Sequence, residues 1–74
     1  SEVLAPVPGK VISVKINDGT RVTAGQTLFI LESMKMEFEV CSPIDGEIDT
    51  ILVSEQQQVD AGDLLIAWTK APGG

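Results

Sequence analysis

Residues 22–25 read Val-Thr-Ala-Gly, and residues 59–62 repeat the motif as Val-Asp-Ala-Gly. In each copy a β-branched residue comes before a glycine that can adopt positive φ, which is typical of a short strand entering a turn. The two copies begin 37 residues apart in a chain of 74 residues. The spacing predicts that one structural unit occurs twice.

The repeat extends beyond this motif to the whole chain. Shifting the sequence by 37 residues aligns its two halves without a gap. Two copies predict one domain with quasi-twofold symmetry rather than a solenoid. Identical pairs include Pro6 and Pro43, Gly9 and Gly46, Val22 and Val59, Ala24 and Ala61, Gly25 and Gly62, and Leu28 and Leu65.

Each half is predicted to consist of strands. A Pro/Gly turn signal is followed by an apolar stretch, residues 11–16 in one half and 48–53 in the other. Both stretches change phase after their first shared apolar position, which predicts a β-bulge or bend. Residues 27–31 and 63–68 form a final apolar strand in each half, and no segment has helical periodicity over ten residues. The predicted fold class is all-β, a sandwich or flattened barrel.

Composition narrows the possible partners. The chain is 43% hydrophobic and 22% charged, which is typical of a globular domain. No apolar run approaches the roughly 18 to 20 residues that span a membrane, and no signal-peptide pattern opens the chain. The net charge of -6 would repel nucleic acid and anionic lipid surfaces. Proteins are the expected partners, with neither nucleic-acid binding nor membrane insertion.

The chain has no histidine and one cysteine, Cys41. This composition excludes Ser-His and Cys-His nucleophile pairs and removes the commonest metal ligand. No catalytic residue and no metal site are expected. Cys41 follows an apolar strand and is expected to be a small buried thiol. A lone cysteine forms no internal disulfide, so the expected compartment is the cytosol or another reducing one.

The sequence Glu32-Ser33-Met34-Lys35-Met36-Glu37 joins the two halves. It lies between two apolar runs that are predicted to be the strands of a hairpin with Lys35 at its tip. A two-residue hairpin turn favours Asn-Gly, Asp-Gly or Gly-X, whereas Met34-Lys35 has neither glycine nor an Asx side chain. Positions where local rules fail are candidates for function.

Met34 and Met36 are the chain's only methionines, and exposed methionines often form recognition surfaces. Two structural alternatives are a solvated turn lysine and a Met36 side chain that folds back onto the face of Phe38 and Val40. A nucleophilic lysine needs burial or a neighbouring cation, and Glu32 and Glu37 argue against this. Lys35 is therefore expected to accept a group that another enzyme delivers. The twofold symmetry also predicts that the chain termini lie together at the pole opposite Lys35.

The motif around Lys35 resembles the Met-Lys-Met attachment motif of the biotinyl domain, the biotin carboxyl carrier module of biotin-dependent carboxylases and decarboxylases. The resemblance runs from Ala-Pro-Val-Pro-Gly at residues 5–9, through Ser-Pro-Ile-Asp-Gly at 42–46, to residues 64–66. It implies a flattened β-barrel, or barrel-sandwich hybrid, of two four-stranded halves. Residues 1–74 would be a single carrier domain, globular over about residues 3–70 with a flexible tail at 71–74.

The resemblance also implies a function. A biotin protein ligase would join biotin to Lys35 through an amide and would recognise Met34 and Met36. The domain itself would be a non-catalytic, monomeric carrier that shuttles a carboxyl group between a biotin carboxylase and a carboxyltransferase or decarboxylase. It would act in the cytoplasm, or in the mitochondrial matrix of a eukaryote. Ser33 stands where the family often has alanine, and five residues between Ile16 and Val22 leave no room for the thumb that some members carry.

Two other functions share this fold. A lipoyl domain also displays a lysine on the same turn, but its motif resembles Asp-Lys-Ala. An unmodified barrel-sandwich module, such as those of membrane-fusion adaptor proteins, would leave Lys35 unmodified and the methionine pair unexplained.

Overall fold

Seven antiparallel β-strands and no helix make up residues 2–69, the part of the chain that the computed structural model describes. The tail predicted at residues 71–74 lies outside this range. The strands are β1 (Gly9–Val14), β2 (Arg21–Val22), β3 (Thr27–Ser33), β4 (Met36–Cys41), β5 (Gly46–Ile51), β6 (Gln58–Val59) and β7 (Ile66–Trp68).

The strands form two sheets, one in the order β4-β3-β1-β6 and one in the order β2-β5-β7. An isolated bridge joins Leu4 to Leu64 and is the repeat equivalent of the Thr27–Cys41 pair between β3 and β4. Each half of the repeat therefore contributes four extended segments: the Leu4 segment with β1, β2 and β3, and then β4 to β7. The predicted all-β fold is confirmed, and the two sheets are consistent with a barrel-sandwich shape.

The quasi-twofold symmetry extends to individual hydrogen bonds. The amide of Ala5 donates to the carbonyl of Asp63, and the amide of Ser42 donates to the carbonyl of Gln26, at 2.9 and 2.8 Å. Hydrogen bonds from the backbone to side chains are also repeated between the halves. The Val14 amide donates to Glu55 Oε2 at 3.0 Å, and the equivalent Ile51 amide donates to Asp18 Oδ1 at 2.9 Å. The halves thus fold in the same way even where their sequences differ.

The predicted bulges and turns are confirmed. The register of β1 against β3 shifts between Val11 and Ser13, and that of β5 against β7 shifts at the equivalent residues, Ile48 and Thr50. The turn glycines Gly25 and Gly62 have φ values of 89° and 88°. An L side chain is disfavoured at such angles, which explains why both copies of the motif end in glycine.

The core lies between the two sheets and contains side chains from both halves. Phe29 is fully buried within it, and the half-buried Trp68 packs against it. The described chain ends lie side by side, since the Leu65 amide donates to the Val3 carbonyl at 2.9 Å; the terminal residues themselves lie outside the described range. The core consists of Val3, Ala5, Val11, Ile16, Val22, Leu28, Phe29, Leu31, Val40, Ile48, Val53, Val59, Leu65 and Ile66.

The prediction that Cys41 is buried is wrong. Alternate residues of β4 face opposite sides of the sheet, and Val40 is the one that faces the core. Cys41 is exposed, with its Sγ atom 3.8 Å from Thr27 Oγ1. The apolar run before Cys41 gave no information about which face this position would occupy.

Across residues 2–69 there is no helical segment of the length and hydropathy that crossing a bilayer requires.

The repeat predicts that equivalent truncations in the core lower the free energy of unfolding by similar amounts. Leu28 and Leu65 are both fully buried, so Leu28→Ala and Leu65→Ala should each lower the free energy of unfolding by about 2–5 kcal/mol. Urea denaturation followed by circular dichroism measures this. Leu52→Ala is the control, because Leu52 is exposed and should change the free energy by less than about 0.5 kcal/mol. A negligible cost at either buried leucine would contradict the symmetric core.

Candidate functional site

The β3–β4 hairpin carries the predicted site at its tip. The last cross-strand pairs are Glu32 with Glu37 and Ser33 with Met36, which leaves Met34 and Lys35 as a two-residue turn. β1 supports β3 only as far as Glu32, which pairs with Lys10. The turn therefore lies beyond the last pair that β1 makes with β3.

The turn has an unfavourable backbone for its sequence. Met34 has φ 52° and Lys35 has φ 63°. Positive φ at both central residues is the signature of a type I′ turn, which normally uses Asn-Gly. An L-residue in this region costs roughly 1–2 kcal/mol. Such residues persist only where the surrounding structure holds them and are concentrated at functional sites. The prediction of a locally poor turn is confirmed.

All three residues of the Met-Lys-Met motif are exposed. Met34 is 91% exposed and Met36 is 60% exposed. Met36 does lie on the same strand face as Phe38 and Val40, but burial along this face falls from Val40 to the tip. The alternative in which Met36 folds back into the core is therefore wrong. Two apolar side chains exposed to water do not stabilise the isolated domain, so they are available to contact a partner.

Carboxylates line the outer face of the hairpin. Glu32 and Glu37 are directly opposite each other, an arrangement of like charges that destabilises a strand pair. Glu39 is next on the same face of β4 and accepts a hydrogen bond from Thr27 Oγ1 at 2.6 Å. Lys35 is thus an exposed amine on an acidic hairpin. Such an amine can accept a group from an activated donor but lacks the burial that a lysine nucleophile needs.

No cluster of three or more Asp, Glu or Cys residues within residues 2–69 is arranged to hold a metal ion. The predicted site residues Met34, Lys35 and Met36 are brought together at one turn. Gly9 also belongs to the site, although the sequence patterns did not identify it: it lies against the end of β3 beside the turn, where a Cβ atom would collide with the carbonyl oxygen of Glu32. The repetition of this glycine as Gly46 indicates a constrained position, but the Pro/Gly pattern around it indicates only a turn.

A duplicated β scaffold that exposes one amine on a strained turn defines a carrier domain, and comparisons with known proteins agree. A family model described as "Biotin-requiring enzyme" matches residues 1–67. The biotin carboxyl carrier protein of Streptococcus mutans is 47% identical over 62 residues, which are 84% of this chain and 48% of that protein. Pyruvate carboxylase of Aspergillus terreus is 39% identical over 71 residues, which are 96% of this chain and 6% of that enzyme.

Two solved structures have a similar fold. A single-chain, multi-domain long-chain acyl-CoA carboxylase matches with a TM-score of 0.86 and 31% identity over 96% of this chain and 7% of that chain. The lipoyl domain of the 2-oxoglutarate dehydrogenase complex from Azotobacter vinelandii matches with a TM-score of 0.73 and 28% identity, covering 86% of this chain and 81% of that chain.

The chain belongs to the family of biotin-requiring enzymes. Within that family it is a biotin carboxyl carrier domain, a carrier rather than a catalyst. It spans a small fraction of the carboxylases and about half of the carrier protein that it matches.

Replacing the strained turn should stabilise the domain. The double variant Met34→Asn/Lys35→Gly suits positive φ at both residues and should raise the free energy of unfolding by about 1 kcal/mol. Thermal and urea denaturation measure this. Gln56→Gly is the matched control for replacing a residue at positive φ. Gln56 has φ 75° and lies in a loop remote in sequence from the motif. A double variant less stable than the unmodified chain would show that the turn is not strained.

Proposed function

We propose that this biotin carboxyl carrier domain holds biotin through an amide at Nζ of Lys35, and that a biotin protein ligase makes the bond. The lysine amine would attack the acyl carbon of biotinyl-adenylate, releasing AMP and a proton. The observation that carries the proposal is the position of Lys35 on a strained two-residue turn between two exposed methionines. The turn extends beyond β1, so a ligase can surround the amine without opening the barrel.

The other lysines in the described part of the chain have different surroundings. Lys10 lies within β1, beside Glu32 of β3 and Gln58 of β6. Lys15 follows β1, and its amide donates to the Leu28 carbonyl at 2.9 Å. Neither is on a projecting turn, and neither is flanked by exposed apolar side chains. A ligase that requires an amine at the end of a hairpin would therefore select Lys35.

Met34 and Met36 would provide the apolar contact for the ligase. Burying a methionine side chain at an interface is worth roughly 1.5–3 kcal/mol. The thioether side chain is flexible and adapts to an irregular surface. Exposure of 91% and 60% leaves almost the whole of one side chain and most of the other free for this contact.

Biotin, when bound, would supply the carboxyl-carrying chemistry, and this chain would supply the tether and the docking surface. The lysine and biotin together would reach roughly a dozen ångströms from the backbone. Tethering would raise the local concentration of the group to about the millimolar range. The proposed partners are a biotin carboxylase, which loads the carboxyl group, and a carboxyltransferase or decarboxylase, which exchanges it with a substrate. We further propose that the domain is monomeric and acts in the cytoplasm or the mitochondrial matrix.

The shared fold of lipoyl domains leaves lipoate as the alternative cargo. The motif separates the two cargoes, because the lipoyl motif resembles Asp-Lys-Ala, whereas this lysine lies between two methionines. Incubating the domain with each ligase and its own acid compares the two directly.

Substituting the proposed acceptor tests the attachment site. Lys35→Arg keeps the charge but removes the primary amine, and it should abolish the mass increase seen after incubation with biotin protein ligase, ATP and biotin. Lys10→Arg and Lys15→Arg are the controls and should be modified as fully as the unsubstituted domain. Biotin incorporation into Lys35→Arg, or lipoate incorporation in preference to biotin, would refute the proposal.

Truncating the methionine pair tests recognition separately. Met34→Ala should lower kcat/KM of biotinylation about tenfold, because it removes most of an apolar contact worth roughly 1.5 kcal/mol or more. Leu52→Ala is the matched control, since it removes an exposed apolar side chain outside the hairpin. Equal rates for both variants would mean that Met34 makes no contact with the ligase.

A further inference from the structure

Gly9 packs closely against the end of β3, beside the hairpin turn. A Cβ atom at this position would collide with the carbonyl oxygen of Glu32 and would lie 3.1 Å from the Glu32 carbonyl carbon and 3.3 Å from Ser33 Cβ. Two of these three atoms are backbone, which cannot rotate away as a side chain can. Glycine within a strand often marks such a close approach of two backbones. Gly9 therefore lets β1 lie closer to β3 than any other residue would.

The position of this contact along the hairpin is informative. Glu32 is the last residue of β3 that pairs with β1, and Ser33 pairs only with Met36 of the hairpin itself. The Gly9 contact is thus at the end of the pairing between β1 and β3, next to the turn. Met34 and Lys35 follow immediately, with positive φ values that their own side chains disfavour. A conformation of this kind needs surrounding structure to hold it.

We infer that Gly9 is a positioning residue for biotin attachment: by allowing β1 to pack directly against the Glu32 carbonyl, it sets the direction and the backbone conformation of the Met34-Lys35 turn. This inference rests on the proposed attachment of biotin at Lys35. A methyl group at position 9 would push the end of β3 away from β1 and displace the turn without altering any residue of the motif. Displacement of a reacting group by about 1 Å can lower a rate by about a hundredfold.

The repeat supplies a matched control. Gly46 is the equivalent of Gly9 and also begins its strand, but a Cβ atom there would meet the ring of Trp68, at 3.0 and 3.1 Å from two ring carbons. This neighbour is a half-buried side chain of β7, not the backbone of the hairpin. Gly46→Ala should therefore disturb packing in the second half and leave the turn unchanged. Both variants add one methyl group at equivalent positions of the repeat, but only Gly9→Ala meets the backbone of the hairpin.

The test uses two readouts on the full chain. For Gly9→Ala we expect altered amide chemical shifts at residues 32–37, an altered HN–Hα coupling at Met34 or Lys35, which reports φ, and a kcat/KM of biotinylation lowered about ten- to a hundredfold. For Gly46→Ala we expect unchanged shifts in the hairpin and a rate within about twofold of the unsubstituted domain. An unchanged turn and rate in Gly9→Ala, or equal effects of the two variants, would overturn the inference.

If circular dichroism shows that Gly9→Ala does not fold, a second variant provides the test. Ser33→Val crowds the same contact from the hairpin side, because Ser33 Cβ faces Gly9. It should change the couplings at Met34 and Lys35 in the same manner, and unchanged couplings would overturn the inference. The spectroscopic readout needs neither ligase nor biotin. Biotin incorporation into Lys35→Arg would therefore refute the proposed function while leaving the result on Gly9 interpretable.

Discussion

The structure depends on strand pairing between the two halves of the repeat. β1 of the first half pairs with β6 of the second, and β2 of the first pairs with β5 of the second. The backbone hydrogen bonds beside the turn motifs also cross between halves, with Ala5 bonded to Asp63 and Ser42 to Gln26. Neither half can satisfy its backbone groups or bury its apolar face alone. A domain of this size has little surplus stability, and the interlocked repeat makes one core from two short segments.

Strand pairing along the hairpin is what permits a strained turn at its tip. The hairpin of β3 and β4 is held along most of its length by its own pairs and by β1. At the end of that support, two L-residues adopt the left-handed conformation, two carboxylates face each other, and two methionines are exposed. Each of these features is unfavourable for the isolated domain. Together they present one amine in a fixed and accessible place, which is the requirement of a carrier whose chemistry is carried out by other enzymes.

The repeat explains why so much of this fold could be predicted from sequence. Each sequence signal occurs twice, and each copy strengthens the prediction made from the other. Examples are the bulges after Val11 and Ile48 and the turn glycines Gly25 and Gly62. Lys35 was predicted for the opposite reason, because its turn breaks the local rules that the rest of the chain obeys. Cys41 was placed wrongly, since an apolar run does not reveal the phase of the strand that follows. The role of Gly9 lies in a contact between backbones, which side-chain patterns do not record.

Tandem mass spectrometry of the domain isolated from cells that contain biotin protein ligase tests the central claim most directly, because it locates the modified residue without any substitution. The account predicts that biotin is found on the peptide containing Met34, Lys35 and Met36, with the added mass on Lys35. Biotin on Lys10 or Lys15, a lipoyl group on Lys35, or an unmodified Lys35 in cells that biotinylate other proteins would contradict it.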